Sequence, residues 1–192
     1  MTGSLVSPAL RQRVRGLAVP VATALGRLGL TPNALTVIGF LGTCVAAYAA
    51  AQQAWLAAGI LVLVFGIFDL FDGALARATN RVSRFGAFLD STFDRSGELI
   101  VYLGLLWGTL DFGLWAPDIL VAWAMAASTM VSYTRAKAES LGFASGTGMA
   151  AVGLAPREVR LAILSVGLIV AGILPGFPED TSLTGALAYP LS

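Results

Sequence analysis

The sequence predicts an all-α fold, a polytopic bundle of transmembrane helices. Hydrophobic residues make up 57% of the 192 residues and charged residues only 12%, whereas soluble domains average about 25% charged residues. Uncharged apolar runs near the length needed to cross a bilayer recur along the chain. The chain has no histidine and one cysteine, Cys44, which excludes an internal disulfide and histidine-based zinc or serine-hydrolase chemistry.

Each segment can be assigned in order. The first thirty residues mix basic and apolar side chains and are interrupted near Pro20, which predicts an amphipathic helix on the membrane surface. Thr31 and Pro32 predict a helix start, as N-cap and first-turn residue. We predict that five spans follow, at about residues 33–51, 55–78, 85–110, 117–141 and 158–174.

The end of the chain departs from this pattern. Residues 181–192 are apolar but only about 18 Å long as a helix, too short to cross roughly 30 Å of hydrocarbon. A sixth helix would therefore be incomplete. We predict a single domain over residues 1–192, with an interfacial segment at 1–30 and the transmembrane bundle at 31–192.

The distribution of basic residues predicts the topology. The connections after the first, third and fifth spans, residues 52–53, 111–118 and 175–180, contain no Lys or Arg. All twelve basic residues fall elsewhere, and basic loops remain in the cytoplasm. The sequence thus predicts a multi-pass protein of the cell membrane whose N-terminus and chemistry are cytoplasmic.

Four aspartates lie on two predicted helices that are joined by a short connection. Asp69 and Asp72 are three residues apart, and Asp90 and Asp94 are four apart, so each pair shares one helix face. For a single aspartate, an ion pair with a nearby arginine is the structural alternative. Four carboxylates near hydrocarbon each cost roughly 2.5–3.5 kcal/mol and also repel one another, so bound Mg²⁺ or Mn²⁺ explains them better.

These aspartates belong to a longer pattern, D-x2-D-G-x2-A-R-x8-G-x3-D-x3-D, which begins at Asp69 and ends at Asp94. The pattern resembles the signature of the CDP-alcohol phosphotransferases, and residues 31–36 resemble the start of the family's first helix. The resemblance covers roughly residues 27–165. It implies six transmembrane helices, a homodimer, a site open to the cytoplasmic leaflet, and attack of an acceptor hydroxyl on a CDP-linked lipid with release of CMP.

The resemblance also implies a role for each matching residue. Asp94 is expected to be the general base that takes the proton of the acceptor hydroxyl, and to join Asp69, Asp72 and Asp90 as a metal ligand. The residues expected to bind the CDP-lipid are Pro32, Asn33, Ala34, Leu35, Gly73, Arg77 and Ser83. Arg77 is placed to pair with a phosphate, and for Ser83 a loop or cap role is the alternative.

A second polar group occurs at the end of the fourth span and the start of the fifth. Its basic members are Arg135, Lys137, Arg157 and Arg160. Ordinary cytoplasmic loop charges are one explanation; the other is a pocket for a phosphate on the acceptor, because a free alcohol would not need four cations. The layout is similar to that of the phosphatidylinositol phosphate synthases of actinobacteria and their archaeal counterparts, which implies CDP-diacylglycerol as donor and 1D-myo-inositol 3-phosphate as acceptor.

Two alternatives remain open. A glycerol 3-phosphate acceptor would make the protein a phosphatidylglycerophosphate synthase. A divalent-cation transporter would also place acids inside a helix bundle, although an arginine such as Arg77 would repel the cargo. The expected partners are the two substrates, membrane lipid and a second copy of the chain; nucleic acid is not expected, because the topology accounts for the few basic residues.

Overall fold

The structure of the chain is a computed structural model that describes residues 20–110, 117–142 and 157–174. These ranges contain helices and no strand, which confirms the all-α prediction. The helices are α1 (residues 20–27), α2 (Pro32–Ala51), α3 (Trp55–Ala78), α4 (Arg84–Thr109), α5 (Pro117–Ser140) and α6 (Arg157–Ile173). Helices α2 to α6 agree with the five predicted spans to within one residue at each end. The predicted interfacial helix is described only from residue 20, and residues 181–192 lie outside the described ranges.

The helix ends follow from local chemistry. Thr31 Oγ1 accepts a hydrogen bond from Ala34 N at 3.2 Å, and Pro32 is the first residue of α2, which confirms the predicted helix start. Asn80 follows α3 with φ at 53°, a left-handed conformation that asparagine adopts more readily than most residues. Arg81 N then donates to Ala76 O at 2.9 Å, which satisfies a carbonyl of the last turn.

Two of the described helices, α2 and α3, are long and apolar enough to cross a membrane, with mean hydropathies of 1.8 and 2.0 over their most apolar windows. Large apolar side chains are also exposed on the remaining helices: Trp123 of α5 is 72% exposed and Ile163 of α6 is 66% exposed. Such surfaces suit a lipid environment. By length and composition alone, however, apolar helices also occur in soluble cores, so the five-span topology remains a prediction.

Packing divides the chain into two compact units, so the single domain remains a prediction. Among the described residues, the first unit contains 20–42 and 64–94, and therefore all four aspartates. Its described core contains Ala22, Leu35, Ala74 and Leu75, against which Phe68 and Phe71 pack. This core packs α1 and the start of α2 against the end of α3. The packing holds the part of α3 that carries Asp69 and Asp72 in place.

The second unit contains, of the described residues, 43–63, 95–110, 117–142 and 157–174. Its described core is built from Ala46, Ala47, Ala50, Trp55, Ala58, Val62, Val101, Tyr102, Leu105, Leu161 and Leu168. Small residues allow close helix contact here, since a Cβ added at Gly104 would overlap Ala47 O. The four predicted phosphate-binding basic residues belong to this unit.

Candidate functional site

Asp72 is the most enclosed of the four predicted metal ligands, with 5% of its surface exposed. Thr36 Oγ1 of α2 donates a hydrogen bond to Asp72 Oδ2 at 2.6 Å, and Gly73 N donates to Asp72 Oδ1. A buried carboxylate needs such donors, because burial removes the water that would otherwise solvate it. The two bonds fix the orientation of the carboxylate between α2 and α3.

Thr36 is a site residue that the sequence analysis missed. It is itself buried, with 7% of its surface exposed. The signal was present, because Thr36 is the last residue of the segment 31–36 that resembles the start of the family's first helix. That segment was interpreted as a helix start and as part of the CDP-lipid site, so a contact between Thr36 and an aspartate of α3 was not expected.

Asp69 and Asp90 lie near Asp72. Both carboxylates are close enough to interact electrostatically with it, and each is partly exposed. Asp69 also lies against α2, where a Cβ added at Gly39 would be 2.9 Å from Asp69 Oδ1. Asp94 is one turn beyond Asp90 on α4 and is also partly exposed. The first unit thus brings Asp69, Asp72 and Asp90 from two helices to one region.

A stacked pair of rings supports this arrangement. The rings of Phe40 on α2 and Phe93 on α4 lie 4.5 Å apart between centroids, at an interplanar angle of 18°. Phe93 immediately precedes Asp94. The stack therefore holds the part of α4 that carries Asp90 and Asp94 against α2.

The carboxylate oxygens of these aspartates suit a hard divalent cation as ligands. Within residues 20–110, 117–142 and 157–174, no three His, Cys, Asp or Glu side chains are grouped closely enough to hold a metal ion. The neighbouring carboxylates nevertheless offer only oxygen donors, which Mg²⁺ and Mn²⁺ prefer. Their mutual repulsion is also of the kind that a bound cation neutralises. The residues fit such an ion by charge and donor type.

The predicted nucleotide-binding residues fall into two groups. Asn33 Oδ1 and Ser83 Oγ lie together over Gly86, where an added Cβ would be 3.2 and 3.0 Å from them. Pro32 and Ala34 are partly exposed in the first turn of α2. In contrast, Leu35 is 1% exposed and belongs to the core, so only its backbone is available to a ligand.

Ser83 has a structural role. Its Oγ accepts a hydrogen bond from Gly86 N at 2.9 Å, which makes it the N-cap of α4. The cap role, left open by the sequence, is therefore present in the structure. The predicted contact with phosphate stays a prediction.

Arg77 folds back over Gly73 on the same helix. Its Nη1 would lie 3.3 Å from a Cβ added at Gly73, and Arg77 is exposed. A larger residue at position 73 would therefore displace the guanidinium. An exposed guanidinium beside open backbone is suited to bind a phosphate.

The four basic residues differ in exposure and in partners. Lys137 is exposed, and Arg135 and Arg157 are partly exposed. Arg160 is held by a glutamate of α4, since its Nε and Nη2 donate to Glu98 Oε1 and Oε2 at 2.8 and 2.7 Å. A phosphate that bound Arg160 would have to compete with this carboxylate.

Glu98 was also missed by the sequence analysis. Only 4% of its surface is exposed. It repeats the four-residue spacing of Gly86, Asp90 and Asp94 along α4, and this spacing is the signal that could have found it.

The sequence pattern of the CDP-alcohol phosphatidyltransferases matches residues 29–188. The chain belongs to this family. Membership makes it a transferase, and together with the apolar helices α2 and α3 it identifies a membrane enzyme. The family match extends beyond the described residues to the final part of the chain.

Two relatives illustrate the similarity. The archaetidylinositol phosphate synthase of Pyrococcus horikoshii is 38% identical over 167 residues, which cover 87% of this chain and 84% of the relative. The phosphatidylinositol phosphate synthase of Mycolicibacterium smegmatis is 39% identical over 177 residues, which cover 89% of this chain and 75% of the relative. The similarity therefore extends over most of both proteins.

Solved structures agree with the fold. The Mycobacterium tuberculosis phosphatidylinositol phosphate synthase with CDP-DAG bound matches with a TM-score of 0.72 and 31% identity, over 88% of this chain and 83% of that chain. The same enzyme in complex with manganese and citrate matches with a TM-score of 0.73, also at 31% identity, over 88% of this chain and 79% of that chain. This family member thus shares the fold over most of its length.

The space beside Asp69 leads to a testable prediction. Gly39→Ala should lower kcat for CMP release by about 10- to 100-fold, because the new Cβ must displace the Asp69 carboxylate and small misplacements of reacting groups are costly. Gly167→Ala is the matched control, since a Cβ there has no neighbour within 4 Å. A wild-type rate in Gly39→Ala would show that the position of Asp69 does not limit the reaction.

Proposed function

We propose that this enzyme transfers the phosphatidyl group of CDP-diacylglycerol to the hydroxyl of 1D-myo-inositol 3-phosphate, and so produces phosphatidylinositol phosphate and CMP. The observation that carries the proposal is the 39% identity, over 89% of this chain, to a relative named phosphatidylinositol phosphate synthase. The donor is inferred from the M. tuberculosis structure, which contains CDP-DAG.

The aspartates would form the catalytic centre. Asp69, Asp72, Asp90 and Asp94 would hold Mg²⁺ or Mn²⁺, and a complex of the M. tuberculosis relative with manganese supports a divalent cation. When bound, the ion would neutralise the negative charge of the pyrophosphate and of the leaving phosphate. The hydrogen bonds from Thr36 and Gly73 keep Asp72 oriented for this role.

Asp94 would act as the general base. Its carboxylate accepts the proton of the acceptor hydroxyl while the hydroxyl oxygen forms a bond to the lipid-side phosphorus. The bond between that phosphorus and the oxygen of CMP breaks, and the electron pair leaves with CMP. Arg77 would pair with the departing phosphate, because its exposed guanidinium lies over Gly73. Asn33, with Pro32 and Ala34 beside it, would line the nucleotide at the start of α2.

The acceptor phosphate would be bound by basic residues of the second unit. Arg135 and Lys137 end α5, and Arg157 begins α6. Three cations at two helix ends suit a phosphate dianion. Arg160, the fourth predicted cation, already pairs with Glu98, which offsets its charge.

The topology and assembly are part of the same proposal. Several spans would cross the membrane, with the N-terminus and the active site in the cytoplasm, because the connections at residues 52–53 and 111–118 contain no basic residue. The enzyme would function as a homodimer, as its resemblance to the family implies. Cysteine pairs or reactive tags placed in these connections would report their side of the membrane.

One experiment tests the reaction. Purified enzyme with CDP-diacylglycerol and Mg²⁺ or Mn²⁺ is offered inositol 3-phosphate, glycerol 3-phosphate, inositol or serine in turn, and CMP is measured. We expect the highest kcat/KM with inositol 3-phosphate, and no CMP after the metal is removed with a chelator. A preference for glycerol 3-phosphate would make the enzyme a phosphatidylglycerophosphate synthase, whereas metal flux into proteoliposomes without CMP release would indicate a transporter.

A further inference from the structure

A largely buried polar cluster joins α4, α5 and α6 within the second unit. It consists of Glu98, Ser128, Ser132 and Arg160, and we call it the Glu98 cluster. Ser128 Oγ donates to Glu98 Oε1 at 2.6 Å, and Arg160 Nη2 donates to Ser132 Oγ at 3.2 Å. With the two bonds from Arg160 to Glu98, both carboxylate oxygens are engaged by donors from two other helices.

The cluster determines geometry more than stability. The side chains of Arg160 and Glu98 are only 12% and 5% exposed, and burying a charged pair gains little stability compared with apolar residues of the same size. A bidentate arginine–carboxylate pair does impose a defined distance and plane. The pair therefore fixes how α6 is placed against α4, and the two serines extend this constraint to α5.

The cluster adjoins two of the residues proposed to bind the acceptor phosphate. Arg135 is three residues after Ser132 on α5, and Arg157 is three residues before Arg160 on α6. Residues with this spacing are neighbours on a helix surface. Arg160 bonds to Ser132 of α5 and to Glu98 of α4. These bonds therefore help to fix the position of Arg135 on α5 and of Arg157 on α6.

We propose that Glu98 is a positioning residue for the acceptor site: by holding Arg160, it sets the spacing between Arg135 and Arg157. The ion pair also cancels the charge of Arg160, so the acceptor phosphate is bound by Arg135, Lys137 and Arg157. This inference rests on the proposed function, because it assumes that the acceptor carries a phosphate.

Glu98→Gln tests the proposal, since it keeps the size of the side chain and removes its charge. We expect the KM for inositol 3-phosphate to rise by about 10-fold or more, while kcat and the KM for CDP-diacylglycerol stay within about twofold. Arg160→Gln should have the same effect, and the double variant should be no worse than either single one, because both changes break one interaction. If Arg160 binds the phosphate directly, Glu98→Gln would leave the acceptor KM unchanged or lower it, which would overturn the proposal.

Ser165→Ala separates positioning from general stability. Ser165 is fully buried on α6, the helix that carries Arg160. It donates to Gly59 O at 2.8 Å and makes no bond to the Glu98 cluster. Its loss should lower the melting temperature by about 2–4 °C without changing the acceptor KM. Equal effects of Ser165→Ala and Glu98→Gln on the acceptor KM would contradict a specific role of Glu98. If Glu98→Gln does not fold, Arg160→Lys replaces it, because lysine keeps the positive charge but cannot make the two-point contact with Glu98. A wild-type acceptor KM in Arg160→Lys would then count against the proposal.

The wild-type enzyme distinguishes failure of this inference from failure of the proposed function. If wild type uses glycerol 3-phosphate, the KM of each variant relative to wild type is measured with glycerol 3-phosphate as the acceptor. If no phosphorylated acceptor gives CMP, the proposed function fails, and calorimetry with inorganic phosphate compares wild type with Glu98→Gln instead. Weaker phosphate binding by the variant would support the positioning role, and equal binding would overturn it.

Discussion

Asp94→Asn should lower kcat for CMP release by about 10²- to 10⁴-fold, the usual contribution of a general base. The amide has nearly the same size as the carboxylate but cannot accept the proton of the acceptor hydroxyl. Binding of CDP-diacylglycerol should change little, because the remaining aspartates and Arg77 are intact. The two quantities are measured as CMP release under saturating substrates and as donor binding by calorimetry.

Asp118→Asn is the matched control for this variant. Asp118 lies in the first turn of α5, in a part of the chain to which no catalytic role is assigned, and the same chemical change there should leave the rate near that of wild type. A wild-type rate in Asp94→Asn would remove this residue from the proton transfer. A large loss of donor binding would instead assign Asp94 mainly to the metal.

Asp72→Asn should weaken Mn²⁺ binding by at least about 100-fold, since even residues behind metal ligands contribute 10- to 100-fold. CMP release should fall with it. Asparagine can still accept the hydrogen bond that Thr36 Oγ1 donates to position 72, so the change removes charge and largely keeps the geometry. Titration of Mn²⁺ by electron paramagnetic resonance, without substrate, measures the affinity independently of turnover.

Thr36→Val gives a graded version of the same test. It removes a donor to Asp72 and leaves the carboxylate in place, so metal affinity should fall by about 10-fold. Thr129→Val is the control, because Thr129 Oγ1 donates to Met125 O within α5 at an exposed position. Unchanged Mn²⁺ affinity in both Asp72→Asn and Thr36→Val would disprove a metal site at Asp72.

Local information was sufficient for the helices and for the positions of the acidic residues along them. The ends of α2 to α6 were predicted to within one residue, because apolar run length and capping residues such as Thr31 act over a few neighbouring positions. The fixed spacing from Asp69 to Asp94 likewise placed the carboxylates on two helix faces. These properties depend on helix geometry, which is the same in every α-helix.

The partners of those residues were decided by the tertiary structure. Thr36 and Asp72 are 36 residues apart, and Glu98 and Arg160 are 62 apart. The burial of Leu35 depends in the same way on residues distant in the chain, since it packs with Ala74 and Leu75. The sequence by itself determined which groups carry charge and on which helix face they lie. Which of them meet followed only from how the helices pack, because side chains far apart in the chain come together only when the apolar faces between them are buried.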